Sequence, residues 1–403
     1  MIVVDVDSHF MEPWDWFDRR FPDLAKRLPK YNFARFFAES VAGEALSALP
    51  PEARPDFWDL LPEALQTYFR RFGEEPMTGI ELAEKMNAID GNSGRVLGKV
   101  WNAPGASGNP AARQAMMDRL GIDKQFINLS IGLVPAIRAR DELNDPILAR
   151  ECMAAYNTWA AEQVEGHQDR QIPVCYVTLD DLDWAIAEIS RMRELGSRAV
   201  LIPAQPVRGM ALSHPQLDRF WSACADLGVA VVFHINTAGR VTMHPGWANT
   251  GGDWRAAMLH HATQTHQLAE IALGNLIFGG VLERHPTLVV MSQELDIGWL
   301  PNWVRKMDSF TSHRFFQYSL PLKPSEYVQR QVFISGLAPA DKLQDVFEAA
   351  PPDTIVFASD WPHPEGGSIE TVREAWTSQL AGLPESRTDS FLGTAIAKAL
   401  HLN

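Results

Sequence analysis

Asp7 and His9 end a short β-branched run, Ile2-Val3-Val4-Asp5-Val6-Asp7-Ser8-His9. A strand places residues i and i+2 on one face, so this carboxylate and this imidazole can point together into whatever the strand opens onto. That is a metal-ligand geometry. Two later apolar runs end in the same kinds of side chain: Val229 to Phe233 stops at His234, and Ile355 to Ser359 stops at Asp360. Taken one at a time, a His at a strand end is an ordinary hydrogen-bonded residue and an Asp at a strand-to-helix junction an ordinary cap. Together they supply two imidazoles and two carboxylates, and a divalent ion is the simplest way to hold that set in a desolvated place. Such an ion polarises a carbonyl and brings the pKa of a bound water to about 7 in favourable cases, so hydrolysis is within reach.

The elements that must position these residues are readable from periodicity. Continuous apolar runs of this length are what strands buried on both faces look like in a parallel sheet. From Asn109 onward, helix and strand patterns alternate. Asn109 suits an N-cap, Pro110 the first helical position and Gly121 the helix end, ahead of a strand around Phe126 to Leu129. Pro173 to Val177 reads as a strand, and Asp180 to Leu195 as an amphipathic helix with Ala185, Ile189 and Met192 on one face, closed by Gly196. Arg198 to Ile202 is the next strand. Ser213 is the expected cap ahead of Pro215, in a helix that carries Leu217, Phe220, Trp221, Cys224 and Leu227 to Gly228. Strands follow at Leu288 to Met291, Gln331 to Ser335 and Ile355 to Ser359, for a count of eight. The expectation is an α/β fold, a distorted (β/α)8 TIM barrel with chemistry at the C-terminal strand ends.

Residues 10–108 break this rhythm. Amphipathic patches near Tyr31 to Leu49 and Phe57 to Phe72, the Pro50-Pro51 pair and a Gly/Asn/Ser-rich piece from Gly91 to Gly108 read as a helical insertion after strand one, a lid or subunit contact within a single domain spanning 1–403. A separate domain joined near Pro51 to Arg54 is the alternative.

With 403 residues and 46% hydrophobic content, the chain can bury a large core. A formal charge of −14 argues against a general nucleic-acid binder, which needs a basic face. No stretch approaches the roughly 18 apolar residues of a membrane span, and the N-terminus lacks the order of a signal peptide, so a cytoplasmic location is the default. Cys152, Cys175 and Cys224 sit in apolar patterns and read as reduced core residues.

The motifs resemble a known family. Asp5-Val6-Asp7-Ser8-His9 with Met11-Glu12-Pro13, the Arg113 to Asp123 stretch, the strand ending at His234, Phe278-Gly279-Gly280-Val281, Gly298-Trp299-Leu300-Pro301 and Ser359-Asp360-Trp361-Pro362-His363-Pro364-Glu365 are similar to the amidohydrolase superfamily, in the branch that holds aminocarboxymuconate-semialdehyde decarboxylase. The resemblance covers residues 1–13 and 109–400. It implies a metal held by an opening His-x-His pair, a His after strand five and an Asp after strand eight, positions matched here by Asp7, His9, His234 and Asp360, with Asp7 replacing the first His.

The family often places a catalytic His at the end of strand six. Here the segment from Leu288 to Asp296 offers Glu294 instead, as a metal ligand, a water-orienting group or a general base, or else as a structural partner of Arg305. With Glu294 the ligand set is oxygen-rich, which suits Mn or Fe as well as Zn and leaves mononuclear and dinuclear sites both open. Asp360, Glu294 and His363 are the catalytic candidates, and Arg240, His244 and Trp361 the substrate contacts. Trp14, Trp16, Trp101 and Trp361 could line an apolar pocket for an aromatic acid, with core packing as the plainer role. His260, His261 and His266 are expected at the surface, and His285 is structural. The leading expectation is a metal-dependent hydrolase of a carbonyl compound. The alternative is a metal-dependent non-oxidative decarboxylase of an aromatic or unsaturated acid, and a metal-free ligand-binding barrel is the reading from outside enzymology. A small-molecule substrate and a homo-oligomer complete the expectation.

Overall fold

The computed structural model describes residues 2–33, 56–60, 63–73, 75–90, 108–235, 247, 254–336, 343–363, 374, 378 and 380–402. Seven parallel strands run in sequence order: β1 (Val4–His9), β2 (Lys124–Asn128), β3 (Gln171–Tyr176), β4 (Ala199–Leu201), β5 (Ala230–His234), β6 (Val290–Gln293) and β7 (Val332–Ile334). Each strand pairs with the next, so the sheet curls into a distorted barrel with helices between its strands.

The expected eighth strand is the exception. Residues 354–361 do bridge β7 to β1, through Ile334 N–H to Thr354 O (2.7 Å), Val6 N–H to Phe357 O (3.1 Å) and His9 N–H to Trp361 O (2.7 Å). They form isolated bridges rather than a regular ladder: Val356 N–H still reaches Ile334 O (3.1 Å) and Asp360 N–H Asp7 O (2.8 Å), but donors between them turn elsewhere. Phe357 N–H goes to Phe391 O (2.9 Å) and Ser359 N–H to the Asp5 carboxylate (2.9 Å). The segment therefore closes the barrel while Asp360 leaves the extended conformation (φ 54°).

Side-chain alternation decides what each strand offers. On β5, Val231 and Phe233 pack with the helix residues Phe220, Trp221 and Leu273, whereas Ala230 and Val232 meet Ala199, Leu201, Met291 and Phe333. His234 continues this second parity, which carries it to the rim of the barrel.

Local chemistry explains the surrounding helices. The helix Pro110–Leu120 starts with Asn109 accepting from Ala112 N–H and ends at Gly121 in the left-handed conformation, as its sequence predicts. The helix Leu182–Glu194 is capped by Asp181 and buries Ala185, Ile189 and Met192. Ahead of Pro215 the cap is His214, not Ser213. The His214 ring accepts from Gln216 N–H, while Ser213 N–H is held by Asn275 (2.8 Å). The three cysteines are reduced and buried.

Between β1 and β2 the described residues are helical at Trp16–Arg20, Pro22–Ala25, Phe57–Leu60, Glu63–Phe69 and Gly79–Asp90, in line with a helical insertion. Most of the patch from Tyr31 to Leu49, and Trp101, lie outside the described residues. Among the described residues no helix is long and apolar enough to cross a membrane.

Beneath the rim, a polar layer ties β1 to its neighbours. Asp5 accepts from Gln125 Nε2 (2.8 Å) and from the Ser359 hydroxyl (2.7 Å). Arg113, 1% exposed, donates to Gln125 Oε1 (2.9 Å) and to His9 O (2.6 Å). Burial brings the Asp5 carboxyl up to about 6 and the Arg113 guanidinium down to about 9. Replacing Arg113 by Leu strands these acceptors without a donor. Urea unfolding should register a loss of about 3 kcal/mol, the scale for breaking a buried charged network.

Candidate metal centre

Asp7, His9, His234 and Glu294 converge at the C-terminal strand ends, and so do His9, Glu294, Asp360 and His363. Within each group, one ligand atom per residue lies within 4.8 Å of all the others. Neither imidazole has its orientation left to chance. His9 Nδ1 meets Leu129 O (2.6 Å) and His234 Nδ1 meets Ile235 O (2.8 Å), so each ring spends that nitrogen on a backbone carbonyl and turns Nε2 inward. His9 Nε2 lies 3.4 Å from Asp7 Oδ1 and 3.3 Å from Asp360 Oδ1. His234 Nε2 lies 3.4 Å from Asp7 Oδ1 and 3.6 Å from Glu294 Oε2.

The carboxylates are held from behind as well. Asp7 Oδ1 accepts from Asn128 Nδ2 (2.7 Å), and Asp360 Oδ1 faces His363 Nδ1 (2.9 Å). Glu294 reaches the centre by a backbone device. Gln293, on the inward parity of β6, is engaged with Val6 O (2.6 Å) and Asn128 (3.0 Å). Glu294 then adopts a left-handed conformation (φ 54°) that swings its carboxylate to the rim. Asp360 does the same at the closing segment (φ 54°), and strain of this kind costs about 1–3 kcal/mol per residue.

Do these residues fit a cation? The deciding observation is three buried ligand atoms, Asp7 Oδ2, His9 Nε2 and Asp360 Oδ2, that have no hydrogen-bond partner among the described residues. Buried polar atoms are otherwise paired, and a divalent ion satisfies all three at once. Two imidazoles with two or three carboxylates make a donor set for Mn, Fe or Zn. The cluster is a divalent-metal site.

Its electrostatics agree. Burial alone would raise Asp7, yet the His234 and His9 imidazoles hold its carboxyl well below the usual range. Burial opposes a charged ring at His234, but Asp7 and then Glu294 bring it up to about 9. At His9 burial is likewise outweighed by Asp360 and Asp7, and the ring stays protonated well above its ordinary pKa. Burial lifts Glu294 to about 8, with His234 opposing and Asp360 assisting. Without metal, protons neutralise this centre.

The structure gathers Asp7, His9, His234, Glu294, Asp360 and His363. Trp361 is buried, with Arg113 4.8 Å over its ring. Arg240 and His244 lie outside the described residues. Arg305 bonds Asn302 (2.8 Å), while Glu294 faces His234. His285 is structural, set between Asp218 and Gln331. Sequence reading missed three supports: Asn128, Ser130 and the buried Glu12. Asn128 was findable, since it ends β2 just as His234 ends β5. Ser130 and Glu12 gave no periodic signal.

A parallel barrel with a cation-binding His/Asp/Glu rim defines a class of metal-dependent enzymes. The family model described as Amidohydrolase matches residues 4–402, and the chain belongs to the amidohydrolase superfamily. Among solved structures it resembles an amidohydrolase from Mycobacterium avium subsp. paratuberculosis K-10, with 22% identity, coverage of 99% of this chain and 98% of that one, and a TM-score of 0.66. It also resembles a dihydroxybenzoic acid decarboxylase from Polaromonas sp. JS666 with bound manganese and 2-nitroresorcinol (18% identity, 79% and 93% coverage, TM-score 0.60). A third is 5-carboxyvanillate decarboxylase from Novosphingobium aromaticivorans DSM 12444 complexed with manganese (17%, 99% and 96%, TM-score 0.60). No curated protein matches the sequence.

Because metal and protons compete for His9, held well above its ordinary pKa, and His234, brought up to about 9, the affinity for Mn2+ should rise with pH from the acid side through neutrality. Calorimetric titration of the metal-free protein in two buffers of different ionisation enthalpy should show at least one proton released per ion. Zero release would contradict the ligand assignment.

Proposed function

We propose that the protein is a metal-dependent, non-oxidative decarboxylase of an aromatic or unsaturated carboxylic acid. The observation that carries the reading is the carboxylate pair around the centre, Glu294 and Asp360, with His363 behind Asp360 at 2.9 Å; the reading stands although β6 leads into Glu294 where the family often has a catalytic His, a departure that counts against it. A rim of this kind can supply a proton to carbon beside a chelated acid. The decarboxylases among the structural relatives support the same choice. Hydrolysis of an amide, ester, thioester or β-dicarbonyl is the second reading, favoured by the relative described simply as an amidohydrolase.

Asp7, His9, His234 and Asp360, with Glu294, would hold the ion. When bound, it supplies Lewis acidity toward the substrate carboxylate and an adjacent oxygen. The chain's own part is proton handling and exclusion of water. Asp360, backed by His363, delivers a proton to the ring carbon that bears the carboxylate. The bond from that carbon to the carboxyl carbon then breaks, its electron pair restores the ring, and carbon dioxide leaves. Glu294 faces the same space from β6, its Oε2 3.6 Å from His234 Nε2. Arg240 and His244 remain the proposed substrate contacts, in the segment that follows His234. A small aromatic acid is the proposed substrate, and a homo-oligomer the proposed assembly, with residues 10–108 as lid or subunit contact in a single domain.

The test is a panel of ortho-hydroxylated benzoic and vanillic acids given to the Mn-loaded protein in deuterated water. The expected result is carbon dioxide in step with loss of acid, and one deuterium on the carbon that carried the carboxyl group. Oxygen-18 from water entering an acyl product, without carbon dioxide, would establish the hydrolase instead. Asp360→Asn should lower turnover by at least 100-fold.

A further inference from the structure

One side chain outside the cation-facing set is coupled to it through a continuous hydrogen-bonded path. Ser130, just past the end of β2, sits with its hydroxyl oxygen 2.8 Å from His363 Nε2. The other ring nitrogen of His363 lies 2.9 Å from Asp360 Oδ1, and the ring stacks on His9 with centroids 3.9 Å apart. His363 is thus pinned on both nitrogens and one face.

Ser130 is itself immobilised. Its hydroxyl donates to Phe10 O (2.6 Å), and its backbone N–H is received by the carboxylate of Glu12 at 3.2 Å. The same carboxylate accepts from Ile131 N–H (2.9 Å), and Glu12 is fully buried. A buried acid from the chain after β1 therefore holds the loop after β2, which holds an imidazole from the closing segment. Three parts of the chain distant in sequence meet at one metal carboxylate.

We infer that Ser130 is a positioning residue for the metal centre: it fixes the His363 ring so that Asp360 keeps Oδ1 turned to the imidazole and presents Oδ2 to the cation. Partners of this kind, one step removed from the ligands, are worth roughly 10- to 100-fold in metal affinity or activity. The inference rests on the metal centre and not on the reaction assigned to it, so either can fail alone.

Cobalt(II), added to the metal-free protein, reports both affinity and ligand arrangement through its visible spectrum. Ser130→Ala should weaken cobalt binding about 10-fold and shift the spectrum, while Ser130→Thr, which keeps the hydroxyl, should stay within about 2-fold of the parent. Should the alanine variant fail to fold, Ser130→Cys carries the same expectation as alanine, since it keeps the volume and gives up the strong oxygen partner. A double-mutant cycle supplies the decisive readout. If Ser130 acts through His363, Ser130→Ala should add less than about 2-fold to the loss caused by His363→Ala. A lowered melting temperature with parental cobalt affinity and spectrum would overturn the inference, and so would losses that multiply in the double variant.

Discussion

The structure depends on one constraint: charge of a kind that cannot stand alone in a dry place. Three carboxylates and two imidazoles share the rim of the barrel, and Asp7, His9, His234 and Asp360 are all 5% exposed or less. Burying an uncompensated carboxylate is prohibitive, so the fold needs cations there, either protons on the imidazoles or a metal. The raised His9 and His234 show the first solution, and the buried ligand atoms left without hydrogen bonds fit the second.

Much of the surrounding architecture serves that constraint. Backbone carbonyls after β2 and β5 fix the two rings, and Asn128 bridges Asp7 to Gln293 across the sheet. One layer deeper, Asp5, Gln125, Ser359 and Arg113 tie β1 to β2 and to the closing segment. Asp7 and His9 thus stand on a strand that cannot slip. The irregular eighth segment belongs to the same scheme. A regular strand would keep Asp360 extended; here its N–H stays on Asp7 O (2.8 Å) while its backbone turns to φ 54° and brings the carboxylate inward.

The barrel was legible in the sequence because buried parallel strands are continuous apolar runs and the helices between them carry end signals such as the Asn109 cap and the closing Gly121. The metal ligands were legible for a related reason: a polar residue ending such a run is exceptional. The supporting role of Asp5 was not legible, because β1 shifts register between Asp5 and Ser8 and its partners Gln125 and Ser359 come from distant parts of the chain. Other features had no local trace. The turn at Glu294 depends on Gln293 being occupied elsewhere, and the seat of His363 on a loop more than two hundred residues earlier in the chain. By contrast, His214, rather than Ser213, caps its short helix for a local reason: the helix starts at Pro215, which makes His214 the cap position, its ring accepting from Gln216 N–H.

The central claim is that side chains from β1, β5 and the closing segment share one cation. Crystals grown with manganese and measured on both sides of its absorption edge test this most directly. The account predicts an anomalous peak bounded by His9 Nε2, His234 Nε2 and the carboxylates of Asp7 and Asp360, lost in His234→Ala. Manganese bound elsewhere, or a peak unchanged by that substitution, would contradict it.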